Sequence, residues 1–223
     1  MDEPSSPAVP YETRVRASFA AALRESGAYF EGRGAVYQTL TRLAERLDAA
    51  AIPYAVIGAL AQSAHGYVRM TTDVDVVMTS AGLARFRAEL VGRGYRPAFE
   101  GAARTFRDTE TQVRVEIVET GAYPGDGRPK PVAFPDPATA AEVRDGIRVV
   151  PLPTLVALKL ASGLSAEHRL KDIADVIEMI RALALPLALS DALDPSVAPE
   201  YARLWRVVHA ARDAVDEPGP PPA

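Results

Sequence analysis

With 223 residues, 48% hydrophobic and 24% charged, the chain has the make-up of one globular domain, or one domain with a small appendage, and wholesale disorder is excluded. Its 25 Lys+Arg against 29 Asp+Glu leave a net charge of −4, which argues against attachment to nucleic acid through a global basic field. No cysteine is present, so disulfides, thiolate zinc sites and a thiol nucleophile are excluded as well.

The start, MDEPSSPAVPYE, is acidic and Pro-rich, unlike a secretory signal, and the chain has no run of roughly 18 apolar residues, so a cytoplasmic protein with no membrane partner is expected. Residues 1–10 read as disordered. Val15, Phe19 and Leu23 carry a helical pattern over 11–24, and beyond it Gly27, Gly32 and Gly34 break the helix. Val36, Leu40, Leu43 and Leu47 recur at three and four residues, the stripe of a helix. Tyr54-Ala55-Val56-Ile57 is a short apolar run ending at Gly58, read as a buried strand, and 59–65 begins a helix closed by Gly66. Asp73 to Met78 sets acids against apolar residues, a strand with one polar face. Ser80 to Leu90 reads as a helix stopped by Gly92 and Gly94.

Further strands are expected at Arg104–Arg107 and over 113–118, where Val113, Val115 and Ile117 alternate with Arg114 and Glu116. Residues 121–137 hold three Gly and five Pro and form a loop long enough to be functional. Ile147 to Val150 is one more strand. After Pro151 the pattern turns helical: Thr154 is placed to cap a helix that Gly163 stops, and Ser165 to cap the next, running to Leu183. Two more helical stretches come after it, with Trp205 in the core of the last, and the tail DEPGPPPA reads as disordered.

This order implies an α+β fold: a small mixed sheet with helices on it and a C-terminal helical part. The expected divisions are an N-terminal arm over 1–34, a core over 35–150, a helical part over 151–213 and a tail over 214–223. From Arg85 to Arg114 seven arginines stand against four acids, read as a solvated face. Arginine is the default cation. The only lysines are Lys130, Lys159 and Lys171, so a lysine marks a place where a compact ammonium is wanted.

Chemistry concentrates in one stretch. Asp73 and Asp75, two apart on a strand, leave the same face with Cα atoms roughly 7 Å apart. Two carboxylates at about 4 Å repel by about 4 kcal/mol at an effective dielectric near 20, so such a pair is kept where water or a cation sits between them. Glu116 lies on the polar face of a later strand. Three hard oxygen donors match Mg2+ or Mn2+ rather than zinc. Upstream, Gly58 and Ala59 are small enough for backbone amides to approach an anion at a helix start. Arg69 and Thr72 precede the acids and are placed to touch phosphate or hold the loop. Lys159, in the apolar run LVALKLAS, shares a face with Leu155 and points inward or snorkels. Arg169 with Asp172, and Lys171 with Asp175, have helix-surface pair spacing. His65 and His168 fit no metal-ligand spacing.

The stretch YAVIGALAQSAHGYVRMTTDVDVVM, with LPTLVALKLASG and HRLKDIADV further on, resembles the nucleotidyltransferase superfamily with the DNA polymerase β-type fold. It resembles in particular small bacterial proteins grouped with the AbiEii-type nucleotidyltransferase toxins. The likeness spans roughly 35–185, and Ala59 departs from the usual second Gly or Ser. It implies transfer of a nucleoside monophosphate from a nucleoside triphosphate to an acceptor (tRNA, protein or small molecule), with Mg2+ or Mn2+ on Asp73, Asp75 and Glu116. It further implies a catalytic Lys159, nucleotide contacts from Gly58, Ala59, Arg69, Thr72, Lys171 and Asp172, and an antitoxin partner if the protein is a toxin. A non-catalytic nucleotide-binding or regulatory protein on the same fold is the alternative.

Overall fold

The computed structural model describes residues 9–216, with side chains as far as residue 210. Of the ends read as disordered, 1–10 and 216–223, residues 1–8 and 217–223 fall outside the described residues, and Asp216 closes a helix instead. The chain divides into two compact units. One comprises residues 9–64, Val68–Thr120 and Pro135–Val150; the other comprises His65–Tyr67, Gly121–Phe134 and residues 151–216. Among the described residues no helix is long and apolar enough to cross a membrane.

The first unit holds α1 (Tyr11–Arg16), α2 (Phe19–Phe30), α3 (Ala35–Ala49), β1 (Ala55–Val56), α4 (Gly58–Ala64), β2 (Asp73–Met78), α5 (Ser80–Glu89), β3 (Tyr95–Pro97), β4 (Thr105–Asp108), β5 (Arg114–Glu119), α6 (Pro137–Ala140), β6 (Glu142–Arg144) and β7 (Ile147–Val149). Its sheet runs β3-β4-β5-β2-β1-β7-β6. The pairs β2–β5 and β1–β7 are parallel and the other four are antiparallel. Val74 and Val76 of β2, Val115 and Ile117 of β5 and Phe106 of β4 share one face and are fully buried. Phe86 of α5 closes that face, its ring centroid 4.8 Å from Phe106 and 5.2 Å from Tyr95. Val36, Leu43 and Leu47 make the buried stripe of α3.

The sequence reading misses β3 and β6, three residues each, and takes 11–24 for one helix, where the chain breaks between Arg16 and Phe19 and α2 runs on past 24. Gly27 sits inside α2 with open space around its Cα, and the helix continues to Phe30.

The second unit is built on α7 (Leu152–Ser165), α8 (Leu170–Ala182) and α9 (Ala198–Asp216), with 3-10 turns at Glu167–Arg169 and Leu187–Ala192. Three expectations are corrected here. Thr154 does not cap α7, which already begins at Leu152 after Pro151. Gly163 does not stop α7; it lies within it, and a Cβ there would stand 2.5 Å from Cγ1 of Ile173, so the missing side chain lets α8 pack close. Ser165 does not cap α8; it is the last residue of α7, and its hydroxyl donates back to the Ala161 carbonyl at 2.7 Å. The loop after Gly121 is held down. Lys130 donates to the Pro124 carbonyl at 2.6 Å and to Ser165 Oγ at 2.9 Å, and pairs with Asp126. Gly125, at φ +75°, lies so close to Ser162 and Ser165 that any Cβ would collide with them. Trp205 is half-buried rather than core, its indole donating to the Leu185 carbonyl at 2.9 Å.

Candidate active site

The parallel pairing of β2 with β5 sets the geometry. Asp73 stands opposite Arg114 and Asp75 opposite Glu116, while Val74 faces Val115 and Val76 faces Ile117. Alternation sends the valines and Ile117 into the core, so Asp73, Asp75, Arg114 and Glu116 leave by the other face, all only partly buried. The sheet therefore brings the three predicted acids together on one face. It also brings Arg114, which the functional reading of the sequence passed over although it lies two residues before Glu116 on the same polar face.

Arg114 Nη2 donates to Asp73 Oδ2 at 2.5 Å and lies 3.9 Å from Glu116 Oε2. Burial works to lower the pKa of this guanidinium. The hydrogen bond and charge of Asp73, then the charges of Glu116 and Asp75, outweigh that and hold it above its ordinary value. Thr71, also missed, donates its hydroxyl to Asp73 Oδ1 at 2.5 Å. In the same lateral row Arg107 stands opposite Arg114, and Arg96 opposite Arg107. Like charges in register repel. Arg107 is neutralised by Glu12 of α1, at 2.6 and 3.0 Å, and Arg96 donates to Gln112 at 2.8 Å. The basic strip read as a solvated face is thus largely engaged. Arg85 and Arg93 bind carbonyls at helix ends, and Arg107 is buried.

Gly58 completes this side. The chain leaves β1 through Ile57, whose amide donates to the Asp75 carbonyl at 3.0 Å, and turns at Gly58 with φ +64°. A Cβ on Gly58 would stand 2.6 Å from Asp75 Oδ2, so another residue would push that carboxylate aside, and the positive φ itself favours glycine. Ala59 is buried inside α4. Arg69 donates from Nε to the buried Gln62 Oε1 at 3.0 Å, and its carbonyl accepts from Tyr29 at 2.9 Å. Thr72 is partly buried beside the acids in sequence.

The three acids on this face are the candidate ligands for a divalent ion. The donors are hard carboxylate oxygens, which fit Mg2+ or Mn2+ in chemistry. Their positions differ from a finished ligand set. Among the described residues no three acids or imidazoles are drawn together tightly enough to hold one ion, and Arg114 stands among these three instead.

Lys159, Asp172 and Asp175 form a separate cluster in the second unit. Lys159 points inward from α7 and donates to Asp172 Oδ1 at 2.7 Å and Asp175 Oδ2 at 2.5 Å, both on α8. Ser162 donates to Asp172 Oδ2 at 2.6 Å, and Arg169 Nε to the same oxygen at 3.0 Å. Burial alone would raise the Asp172 pKa. The charge and hydrogen bond of Lys159, then Ser162 and Arg169, reverse this and hold it below the usual carboxylate value. The surface pairing of Lys171 with Asp175 suggested by spacing is replaced: Asp175 is buried on Lys159, and Lys171 is exposed.

No protein-family model matches the chain, and no curated protein sequence does. Among solved structures it is similar to the solution structure of the antibiotic-resistance factor ANT(2'')-Ia, at 13% identity over 79% of this chain and 95% of that one, with a TM-score of 0.44. It is also similar to an antigenic nucleotidyltransferase-like protein from Paracoccidioides brasiliensis, at 16% identity over 80% and 87%, with a TM-score of 0.44. A third likeness is to JHP933 from Helicobacter pylori, at 15% identity over 90% and 99%, with a TM-score of 0.42. At such identities and TM-scores these likenesses carry no statement about activity.

Proposed function

We propose that the chain is a metal-dependent nucleotidyltransferase that moves a nucleoside monophosphate from a nucleoside triphosphate to an acceptor hydroxyl. The observation that carries the reading is the β2–β5 register, which sets Asp75 against Glu116 and Asp73 one step along on the same open sheet face, beside the glycine turn at Gly58. Asp73 and Asp75 would hold Mg2+ or Mn2+, with Glu116 completing the set; when bound, such an ion neutralises triphosphate charge and orients an in-line displacement at phosphorus. Glu116, at 45% side-chain exposure against 20% for Asp73, is suited to accept the proton of the acceptor hydroxyl. The new bond joins that oxygen to the α-phosphorus, and the bond to the departing pyrophosphate breaks. The backbone at Gly58, with Arg69 and Thr72 upstream of the acids, lines the approach for the phosphates.

Lys159 and Asp172, expected in the machinery from the resemblance, are given a different task here. Both are committed to the buried cluster that fastens α7 to α8, and Lys171 and Ala59 are given no chemical role. A toxin acting on tRNA or protein, with an antitoxin partner, is a special case of the same reaction.

The test is ligand-dependent stability, then transfer. Mg2+ with a nucleoside triphosphate should raise the melting temperature, and α-labelled nucleotide should enter an RNA, protein or small-molecule pool. Asp73→Asn with Asp75→Asn should abolish both effects while leaving the metal-free fold intact. Equal ligand shifts in wild type and the double variant would reject the site. A retained shift with no transfer into any pool would favour the nucleotide-binding regulator instead.

A further inference from the structure

Arg114 has a task that neither strand pairing nor core packing explains. Its guanidinium bridges toward two of the three acids, at 2.5 Å from Asp73 Oδ2 and 3.9 Å from Glu116 Oε2, and its charge is also felt by Asp75. Its side chain is 41% exposed, so it is not locked by packing. Its neighbour across the sheet is a cation that is already paired, though the charge of Glu12 also reaches Arg114. Arg107 stands directly opposite on β4, carries the same charge, and its partner Glu12 is already engaged at two contacts. The Arg107–Glu12 pair leaves little net charge on that side, while the hydrogen bond and charge of Asp73 draw Arg114 onto the acids. Thr71 holds the second oxygen of Asp73, so the carboxylate is oriented between a hydroxyl and a guanidinium.

We propose that Arg114 is the built-in counter-cation of this acid face: it occupies the charge position of the divalent ion in the metal-free protein, and the ion must displace it to bind. The inference rests on the reading of Asp73, Asp75 and Glu116 as a divalent-metal site. It makes Arg114 a positioning residue that keeps adjacent carboxylates on one face without a metal and sets the metal concentration at which the site fills. A guanidinium is suited to this, because it is always charged, bridges two carboxylates with separate N–H groups, and is more weakly hydrated than an ammonium.

The experiment is calorimetric titration of the full chain with Mn2+ alone, in wild type, Arg114→Gln and Arg114→Lys, each with and without Asp73→Asn plus Asp75→Asn. Arg114→Gln should bind Mn2+ at least tenfold more tightly than wild type. Arg114→Lys should fall between them, since a shorter, point-like cation cannot bridge both acids. The paired Asp→Asn changes should abolish binding in every background. A purely structural role for Arg114 would not tighten metal binding. If Arg114→Gln fails to fold, Arg114→Lys carries the test with the same sign and a smaller shift. Equal or weaker Mn2+ affinity in the Arg114 variants, with binding still dependent on the aspartates, overturns the counter-cation and leaves the metal site standing. No aspartate-dependent Mn2+ binding in wild type or either variant overturns the metal site and the counter-cation together.

Discussion

The same ingredients, a cation set between carboxylates, occur in both units under opposite conditions. On the β2–β5 face Arg114 meets Asp73 and Glu116 with side-chain exposures of 41%, 20% and 45%. Between α7 and α8, Lys159 meets Asp172 and Asp175 with exposures of 10%, 9% and 6%. Water screens the first set and leaves its members exchangeable, so an incoming ion or ligand can take the place of the cation. The second set has surrendered its hydration and survives because every charge has a partner. Exposure, more than residue type, separates a face fit for chemistry from a fastening between helices. That is why the acids on β2 and β5 are read as the site and the lysine in the apolar helix is not.

The comparison breaks most decisively at Lys159. Lys159→Met removes the ammonium that Asp172 and Asp175 share, and leaves two carboxylates buried between helices without it. Breaking one side of a buried pair costs about 3–5 kcal/mol. Urea denaturation should show a loss in that range. Replacing Lys159, Asp172 and Asp175 together by apolar residues should recover most of it, because no uncompensated charge remains. A loss under about 1 kcal/mol from Lys159→Met would mean that the cluster does not hold the helices and would return Lys159 to the pool of candidate catalytic groups.

A second, smaller effect comes from pH. The Asp172 pKa is depressed in the folded protein, so its contribution is fully present above the unfolded value, near 3.9, and is lost as pH falls through the lower folded value. Stability of the second unit should therefore drop on acidification below about pH 4. In Lys159→Met the largest favourable influence on that carboxylate is gone, and the acid-induced loss should shrink. Urea midpoints measured in parallel across this range decide the point; identical pH slopes in the two proteins would remove Asp172 as the responsible group.

Much of the acid face was legible because strand alternation is a local rule. Asp73, Asp75 and Glu116 share a face with Val74, Val76, Val115 and Ile117 turned inward, and only the pairing of β2 with β5 had to be assumed. Arg114 could have been found by the same rule, but its meaning depends on register, which places it opposite Asp73 and beside Arg107. That Lys159 either turns inward or snorkels was readable from its apolar neighbours, and the structure turns it inward. Its partners were not, because Asp172 and Asp175 approach from another helix across a turn. Gly163 misled for a related reason: a glycine reads as a stop when its neighbours are unknown, whereas here it makes room for Ile173. The edge strands β3 and β6 were too short for a periodic signal. They exist through pairing with β4 and β7.

The smallest effect is expected at Asp73, and it tests the exchangeable side of the comparison. Asp73→Asn keeps an oxygen for the Thr71 hydroxyl and loses the charge that Arg114 meets. Arg114 is not stranded, since Glu116 remains 3.9 Å away and part of the guanidinium stays in water. Exposed ion pairs contribute about 0–1 kcal/mol, so in metal-free buffer the variant should lie within about 1 kcal/mol of wild type. The difference should narrow further as salt is raised toward 1 M, where screening acts over about 3 Å. Urea denaturation at low and high salt measures both quantities. A salt-independent loss above about 2 kcal/mol would place Asp73 with the buried charges of the second unit, because only a pair cut off from water keeps such a contribution when ions are added. The face could then no longer be one where a metal readily takes the place of the arginine.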